Sequence, residues 1–228
     1  MSDTKKIISI DAMGGDKAPN AVLGGMNQFL FQNGEDVVHF RVFGDEAQLK
    51  PLMAKYPRVL RNCEIIHSPD VIHGGDKLRD VIRNAQNTSM YMAIKDVRMG
   101  NSEAVISAGN TGILMALAKL SLKTIDGISR PAITTMLPSG GGDGRVAILD
   151  LGANVQCDEE NLFDFALLGS VYAETIGGMK FPKVGVLNIG EEDTKGNDTL
   201  RNINKLLTEN KDRLPYDYIG FVEPTDIS

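Results

Sequence analysis

The sequence predicts an α/β protein built on a mostly parallel sheet covered by helices on both faces. Three observations carry that reading. Short β-branched runs alternate with longer helical patterns along all 228 residues. The 24 glycines cluster at the ends of apolar runs, as tight strand-to-helix turns require. No linker, internal repeat, coiled coil or low-complexity tail breaks the alternation, so residues 1–228 are read as a single α/β domain. With 42% hydrophobic residues the chain is long enough to bury a core.

The elements follow in order. Lys6 to Ile10 reads as a first strand, and Asn20 to Gln32 as a helix with Pro19 near its start, where a missing N–H costs little. Phe40 to Phe43 and Glu64 to His67 are strands around a short helix, Ala47 to Lys55. Asn84 to Met99 is one helix stopped by Gly100. Ala104 to Ser107 is a strand and Thr111 to Lys123 a helix. Ile133 to Leu137 and Val146 to Leu151 are strands around the glycine-rich turn Ser139 to Gly144. Asn161 to Ile176 is a helix, Val184 to Ile189 a strand, Thr199 to Glu209 a helix and Tyr218 to Val222 the last strand.

Composition excludes several classes. A net charge of −6 argues against nucleic acid as a partner. Two cysteines, Cys63 and Cys157, imply no disulfide framework and suit a reducing cytosol. His39, His67 and His73 are scattered, with no Cys/His cluster for a metal. Met1 to Lys6 leads into a strand rather than a signal peptide, and no apolar run is long enough to cross a membrane.

Four segments share one design, an apolar strand followed by a polar glycine-bearing loop and a helix. They are Ser9 to Asp16, Ile106 to Gly112, Leu149 to Val155 and Leu187 to Asn197. If the four strands are parallel, the loops leave one rim of the sheet, where open α/β sheets bind ligands. Glycine lets backbone approach a ligand closely, and the positive helix start favours an anion. Walker-type and dinucleotide glycine signatures and the G-x-S-x-G elbow are absent, which points to a small phosphate rather than a nucleotide. Glu191, Glu192 and Asp193 beside Lys195 could bind Mg²⁺, form a solvated loop or hold Lys195; no metal is expected.

The same loops resemble the motif series of the acyl-acyl-carrier-protein:phosphate acyltransferases. The matching segments are Asp11 to Asp16, Ser107 to Gly112, Leu149 to Val155, and Leu187 to Glu192 with Lys195-Gly196, in the family's order. Gly127 to Ala132 and Tyr218 to Gly220 also fit, so the resemblance covers essentially the whole chain. It implies a Rossmann-like three-layer fold akin to isocitrate and isopropylmalate dehydrogenases. It further implies transfer of a fatty acyl group from acyl carrier protein to inorganic phosphate, giving an acyl phosphate for phospholipid synthesis. Members work without a nucleotide cofactor, as homodimers, cytosolic or loosely membrane-associated. Three departures stand out. Members are longer, and this chain resembles their N-terminal portion. Within Asp76 to Met90, Arg83, Thr88 and Ser89 fit the family pattern but Arg79 and Gln86 do not; Gln156 stands where Asp is usual.

The candidate roles follow from chemistry. Gly14, Gly15, Ser107, Asn110 and Thr111 are expected to contact phosphate or the developing oxyanion, helped by Gly109 and Gly112. Asn110, Asn188 and Lys195 are the candidate catalytic groups. Gly152, Asn154, Gly190, Glu191, Glu192 and Gly196 complete the expected binding loops. Asp11, Asp16 and Asp150 are expected to shape those loops rather than touch a dianion. An acidic carrier protein would dock on Lys77, Arg79 and Arg83, or on Lys119 and Lys123. Two other readings stay open: a phosphotransacetylase-like enzyme using coenzyme A thioesters, and a shortened, inactive domain that binds the carrier.

Overall fold

The computed structural model describes residues 5–139, 144–152, 154, 156–190, 192 and 195–227. The chain divides into two units, Met1–Lys123 and Thr124–Ser228. Each is described by itself.

In the first unit, β1 (Lys6–Asp11), β2 (Val38–Gly44), β3 (Cys63–His67) and β4 (Ala104–Ser107) form a four-stranded sheet in the order β3-β2-β1-β4. Every pairing is parallel, with Ile10 opposite Val42 on one side and Ile106 on the other. Side chains alternate across β1, as a strand's two-residue period demands. Ile8 and Ile10 join an apolar cluster with Leu23, Met26 and Leu30 of α1 (Asn20–Asn33). Ser9 and Asp11 point the other way, to hydrogen bonds with Asp96 and Ser89 of α5 (Ser89–Arg98). Buried Asp96 also accepts from Arg41 and Asn101, which ties α5 to the sheet just before β4. Burial alone would raise that carboxyl's pKa; the bonds from Arg41, Asn101 and Ser9 outweigh it and hold the pKa low.

Two helices differ from the sequence expectation. The segment after β2 makes α2 (Glu46–Met53) and a separate five-residue α3 (Pro57–Arg61), because Pro57 supplies a ready helix start. The single helix expected over 84–99 is instead α4 (Leu78–Asn84), a 3-10 turn (Ala85–Asn87) and α5. Thr88 makes the break, donating to the Ala85 carbonyl and accepting from Tyr91 N. After β4, α6 (Thr111–Leu122) ends at Lys123, which has φ 67°.

The second unit opens with a hairpin. β5 (Thr134–Pro138) runs antiparallel to β6 (Arg145–Leu149), and Ser139 N donates to the Gly144 carbonyl. Most of the expected glycine-rich turn lies outside the described residues. β7 (Lys183–Leu187) and β8 (Asp217–Val222) form a parallel pair. Helix α7 (Glu159–Thr175) packs on both β6 and β7, and α8 (Asp198–Glu209) packs on β8 around Ile203, Leu207, Tyr216 and Tyr218. The α/β class with mostly parallel strand pairing is the observed one, and the separate hairpin β5–β6 is the antiparallel exception. A common rim therefore holds for the loops after β1 and β4, which are parallel neighbours. Among the described residues, no hydrogen-bonded ladder joins β6 to β7.

Candidate functional site

The sheet order 3-2-1-4 reverses direction between β1 and β4, which makes the gap beyond their carboxyl ends a topological switch point. Two glycine loops meet there. A Cβ on Gly14 would land on Asp11 Oδ2, and 2.9 Å from both Gly109 N and Ser107 Oγ. Gly15 has φ 101°, and a Cβ on it would sit 2.9 Å from the Ala108 carbonyl oxygen. A Cβ on Gly109 would sit 2.6 Å from Met90 Cε. Only glycine allows the two loops this approach.

Asp11 locks them together. Its side chain is 1% exposed. Oδ1 accepts from Ser89 Oγ at 2.6 Å and from Met13 N at 3.3 Å; Oδ2 accepts from Ser107 Oγ at 2.6 Å. Ser107 Oγ in turn accepts from Gly109 N at 3.1 Å. One carboxylate thus fixes the start of α5, the β1 loop and the β4 loop. Ser89 is 78 positions from Asp11, and the sequence marks it only through its place in the family pattern. No periodicity could have joined the two.

Asn110 is the N-cap of α6, its Oδ1 accepting from Ile113 N at 3.0 Å. Thr111 and Gly112 follow in the exposed first turn. Their N–H groups have no intrahelical acceptor and sit at the positive end of a 12-residue helix. Asp16 is exposed and lines the same cavity as Gly14 and Gly15. An anion would be repelled from Asp11 and attracted to the α6 start.

The second unit holds the other two loops. After β6, Asp150 has φ 60° and Gly152 φ 85°. Asp150 accepts from Asn154 N, Asn154 Nδ2 and Cys157 Sγ, so the loop is closed on itself. Asn154 Nδ2 also donates to the Pro131 carbonyl. Cys157 is pushed up to about 11 by burial and then by Asp150, and Cys63 to about 11 by burial. Neither thiol is a nucleophile near neutral pH.

After β7, Asn188 is 5% exposed, and among the described residues neither its amide nitrogen nor its amide oxygen has a hydrogen-bond partner. Gly196, at φ 79°, lies over it; a Cβ there would be 2.7 Å from Asn188 Oδ1. Such an orphaned buried amide costs stability, which is a common mark of a functional group. Lys195 and Glu192 are exposed and fold over Gly190. Glu191, with the neighbouring Asp193, lies outside the described residues. Among the described residues no group of three His, Cys, Asp or Glu side chains is placed to hold a metal.

The structure thus brings Asp11, Gly14, Gly15, Ser107, Gly109 and the α6 start together in the first unit. It gathers Asp150, Gly152 and Asn154 in one loop of the second, and Asn188, Gly190, Glu192, Lys195 and Gly196 in another.

Comparison with solved structures gives the class. The fold matches the EutD phosphotransacetylase from Staphylococcus aureus with TM-score 0.63 at 22% identity, covering 97% of this chain and 70% of that one. It matches a phosphotransacetylase from Streptococcus pyogenes with TM-score 0.68 at 16% identity, covering 93% and 67%. The protein is therefore an α/β protein of the phosphotransacetylase fold. The profile of the family described as fatty acid synthesis protein matches residues 6–228, and the chain belongs to that family. Curated relatives named phosphate acyltransferase include one from Neorickettsia sennetsu, 41% identical over 225 residues, and one from Rhodospirillum rubrum, 42% identical over 221. The matches cover 98% and 97% of this chain but 64% and 62% of those relatives. No helix among the described residues is long and apolar enough to cross a membrane.

Proposed function

We propose that the chain carries the phosphate-binding part of an acyltransferase that moves a fatty acyl group from acyl carrier protein to inorganic phosphate. The observation that carries this reading is the locked pair of glycine loops at the switch point, with the start of α6 beside them. The names of the relatives, which match nearly the whole chain, support it.

The reaction needs no covalent enzyme intermediate. A phosphate oxygen attacks the thioester carbonyl carbon, a C–O bond forms and the C–S bond breaks. The carrier thiolate leaves with the proton of hydrogenphosphate. The protein must orient phosphate and stabilise the oxyanion, and each donor so placed is worth roughly 3 kcal/mol. The N–H groups of Thr111 and Gly112 would receive phosphate, held in place by the Asp11 lock. In the second unit, the Asn188 amide and the Lys195 ammonium are the candidate catalytic groups of their own loop. The acidic carrier would dock on exposed Lys77, Arg79 and Arg83. The homodimer, the cytosolic location and peripheral membrane contact belong to the same reading.

Phosphate titration of the 228-residue chain and acyl-phosphate formation by a full-length relative test this, using Asn110→Ala and Lys195→Ala variants of each. Both substitutions should lower activity at least ~10-fold. Unchanged activity in both ends the assignment. Equal rates with coenzyme A thioesters would replace the carrier protein as acyl donor.

A further inference from the structure

The segment Gly127 to Ala132 has so far been given no role. The structure ties it to the β6 loop. Buried Asp164 of α7 accepts from Ser129 N at 2.9 Å and from Ser129 Oγ at 3.0 Å, and buried Asn161 donates to that same hydroxyl at 2.8 Å. Two residues on, the Pro131 carbonyl accepts from Asn154 Nδ2 at 3.1 Å. The same nitrogen donates to Asp150 Oδ1 at 2.9 Å. Both hydrogens of the Asn154 amide are therefore used. Its Oδ1 has no donor among the described residues, and the side chain is half-buried rather than sealed in. The reverse orientation of the amide would set Oδ1 against the Pro131 carbonyl and Asp150, with no proton between the three oxygens. Asn154 thus presents an acceptor and nothing else.

The charges around it agree. Asp150 in the loop, and Asp158, Glu159 and Glu160 at the start of α7, place carboxylates along this stretch. Arg130 stands beside them, bonded to the Gln156 carbonyl. An anion is repelled here, whereas the start of α6 in the first unit offers N–H groups to one. The β6 loop has the glycine signature of an anion site and the chemistry of a donor-binding site.

We infer that the β6 loop receives the thiol arm of the acyl donor, and that Asn154 Oδ1 accepts a hydrogen bond from an amide N–H on that arm. This rests on the proposed reaction, of whose two substrates phosphate is the one the loop repels. An amide N–H suits the loop better than a hydroxyl does, because a hydroxyl brings its own lone pairs towards a group of acceptors. Asn154 is then a specificity-determining residue. It selects a thioester by the polarity of its arm and not by the length of its acyl chain. Asp164 is the positioning residue behind it, acting through Ser129 and the Pro131 carbonyl.

The test uses the 228-residue chain and a pair of soluble thioesters. One is S-hexanoyl-N-acetylcysteamine, whose arm carries an amide N–H. The other is its analogue with an ester oxygen in place of that N–H. Binding is read by NMR from the side-chain NH₂ signals of Asn154. The amide probe should bind at least ~10-fold more tightly, because the ester sets one more oxygen against Oδ1. Asn154→Ala, read from the Gly152 N–H signal, should bind both probes alike. If that variant does not fold, the ratio in the parent decides by itself. Equal binding of the two probes by the parent, no binding of the amide probe, or a preference that survives Asn154→Ala overturns the inference. So does equally tight binding of the 2-hydroxyethyl thioester, which would assign the acceptor to a hydroxyl. Movement of the Asn154 signals on adding inorganic phosphate alone would make this a phosphate loop and likewise overturn it. Phosphate titration read at the Thr111 and Gly112 N–H signals tests the proposed reaction separately. Phosphate binding there without the amide preference sinks this inference alone; the preference without phosphate binding sinks the phosphate reading alone.

Discussion

The glycine loops of the two units look alike in sequence but are held in different ways. In the first unit, a buried carboxylate reaches across strands, so Asp11 joins segments near positions 11, 89 and 107. In the second, no single carboxylate joins two of the loops: Asp150 holds Asn154 and Cys157, Asn154 also donates to the Pro131 carbonyl, and Asn197 accepts from Leu200 at the start of α8. A cross-strand lock sets the geometry of two loops at once and makes a preorganised cradle. The bonds of the β6 loop shape that loop and its tie to Pro131 only. The second unit also leaves Asn188 unpaired among the described residues, a cost the first unit's hub avoids.

The sharpest way to break this contrast is Gly14→Ala. The added methyl would strike the Asp11 carboxylate and crowd Gly109 N and Ser107 Oγ. Phosphate affinity and acyl-phosphate formation should fall about 100-fold, and urea unfolding should show a loss of about 2 kcal/mol. A Gly14→Ala chain that binds phosphate normally would refute the close pairing of the loops.

Asp11→Ala should cost about 3 kcal/mol, since two serine hydroxyls and the Met13 N–H lose a charged acceptor. Asp150→Gly should stay within about 1 kcal/mol of the parent, because relief of the left-handed backbone offsets its lost bonds. Equal losses in the two variants would erase the distinction between cross-strand and local locks.

Asn188→Leu should raise stability by about 1 kcal/mol, by removing an unpaired buried amide, while lowering turnover. A variant both less stable and fully active would show that the amide serves packing alone.

The smallest effect falls on both units together. Cys63 and Cys157 each rise from an ordinary 9.0 to about 11. From about pH 9 to about pH 11 the unfolded chain releases thiol protons that the folded chain keeps. Stability is therefore fully present below pH 9 and declines through that window. Thiolate absorbance during an alkaline titration should rise near pH 11 in the folded chain, and the Cys63→Ser plus Cys157→Ser double variant should flatten the stability decline.

Much of the architecture was legible in the chain because period and punctuation are local signals. Strands β1, β4 and β7 and the helices after them fall where apolar runs and glycines place them. The broken helix around Thr88 was not legible, because the residue reads as one more helical position until its hydroxyl caps the next turn. The direction of β6 was hidden for a similar reason, since a strand's sequence does not say which neighbour it pairs with.

The amino-acid sequence by itself determined the α/β class, the four glycine loops and the family to which they belong. Local propensity and turn chemistry are written into short stretches of chain, so these could be read there. Only the tertiary structure decided which loops touch, that Asp11 holds Ser89 and Ser107 together, and that Asn188 is buried without a partner among the described residues. Those facts depend on side chains tens of positions apart meeting in a dry interior, and there a hydrogen bond made or missed acquires its energetic weight.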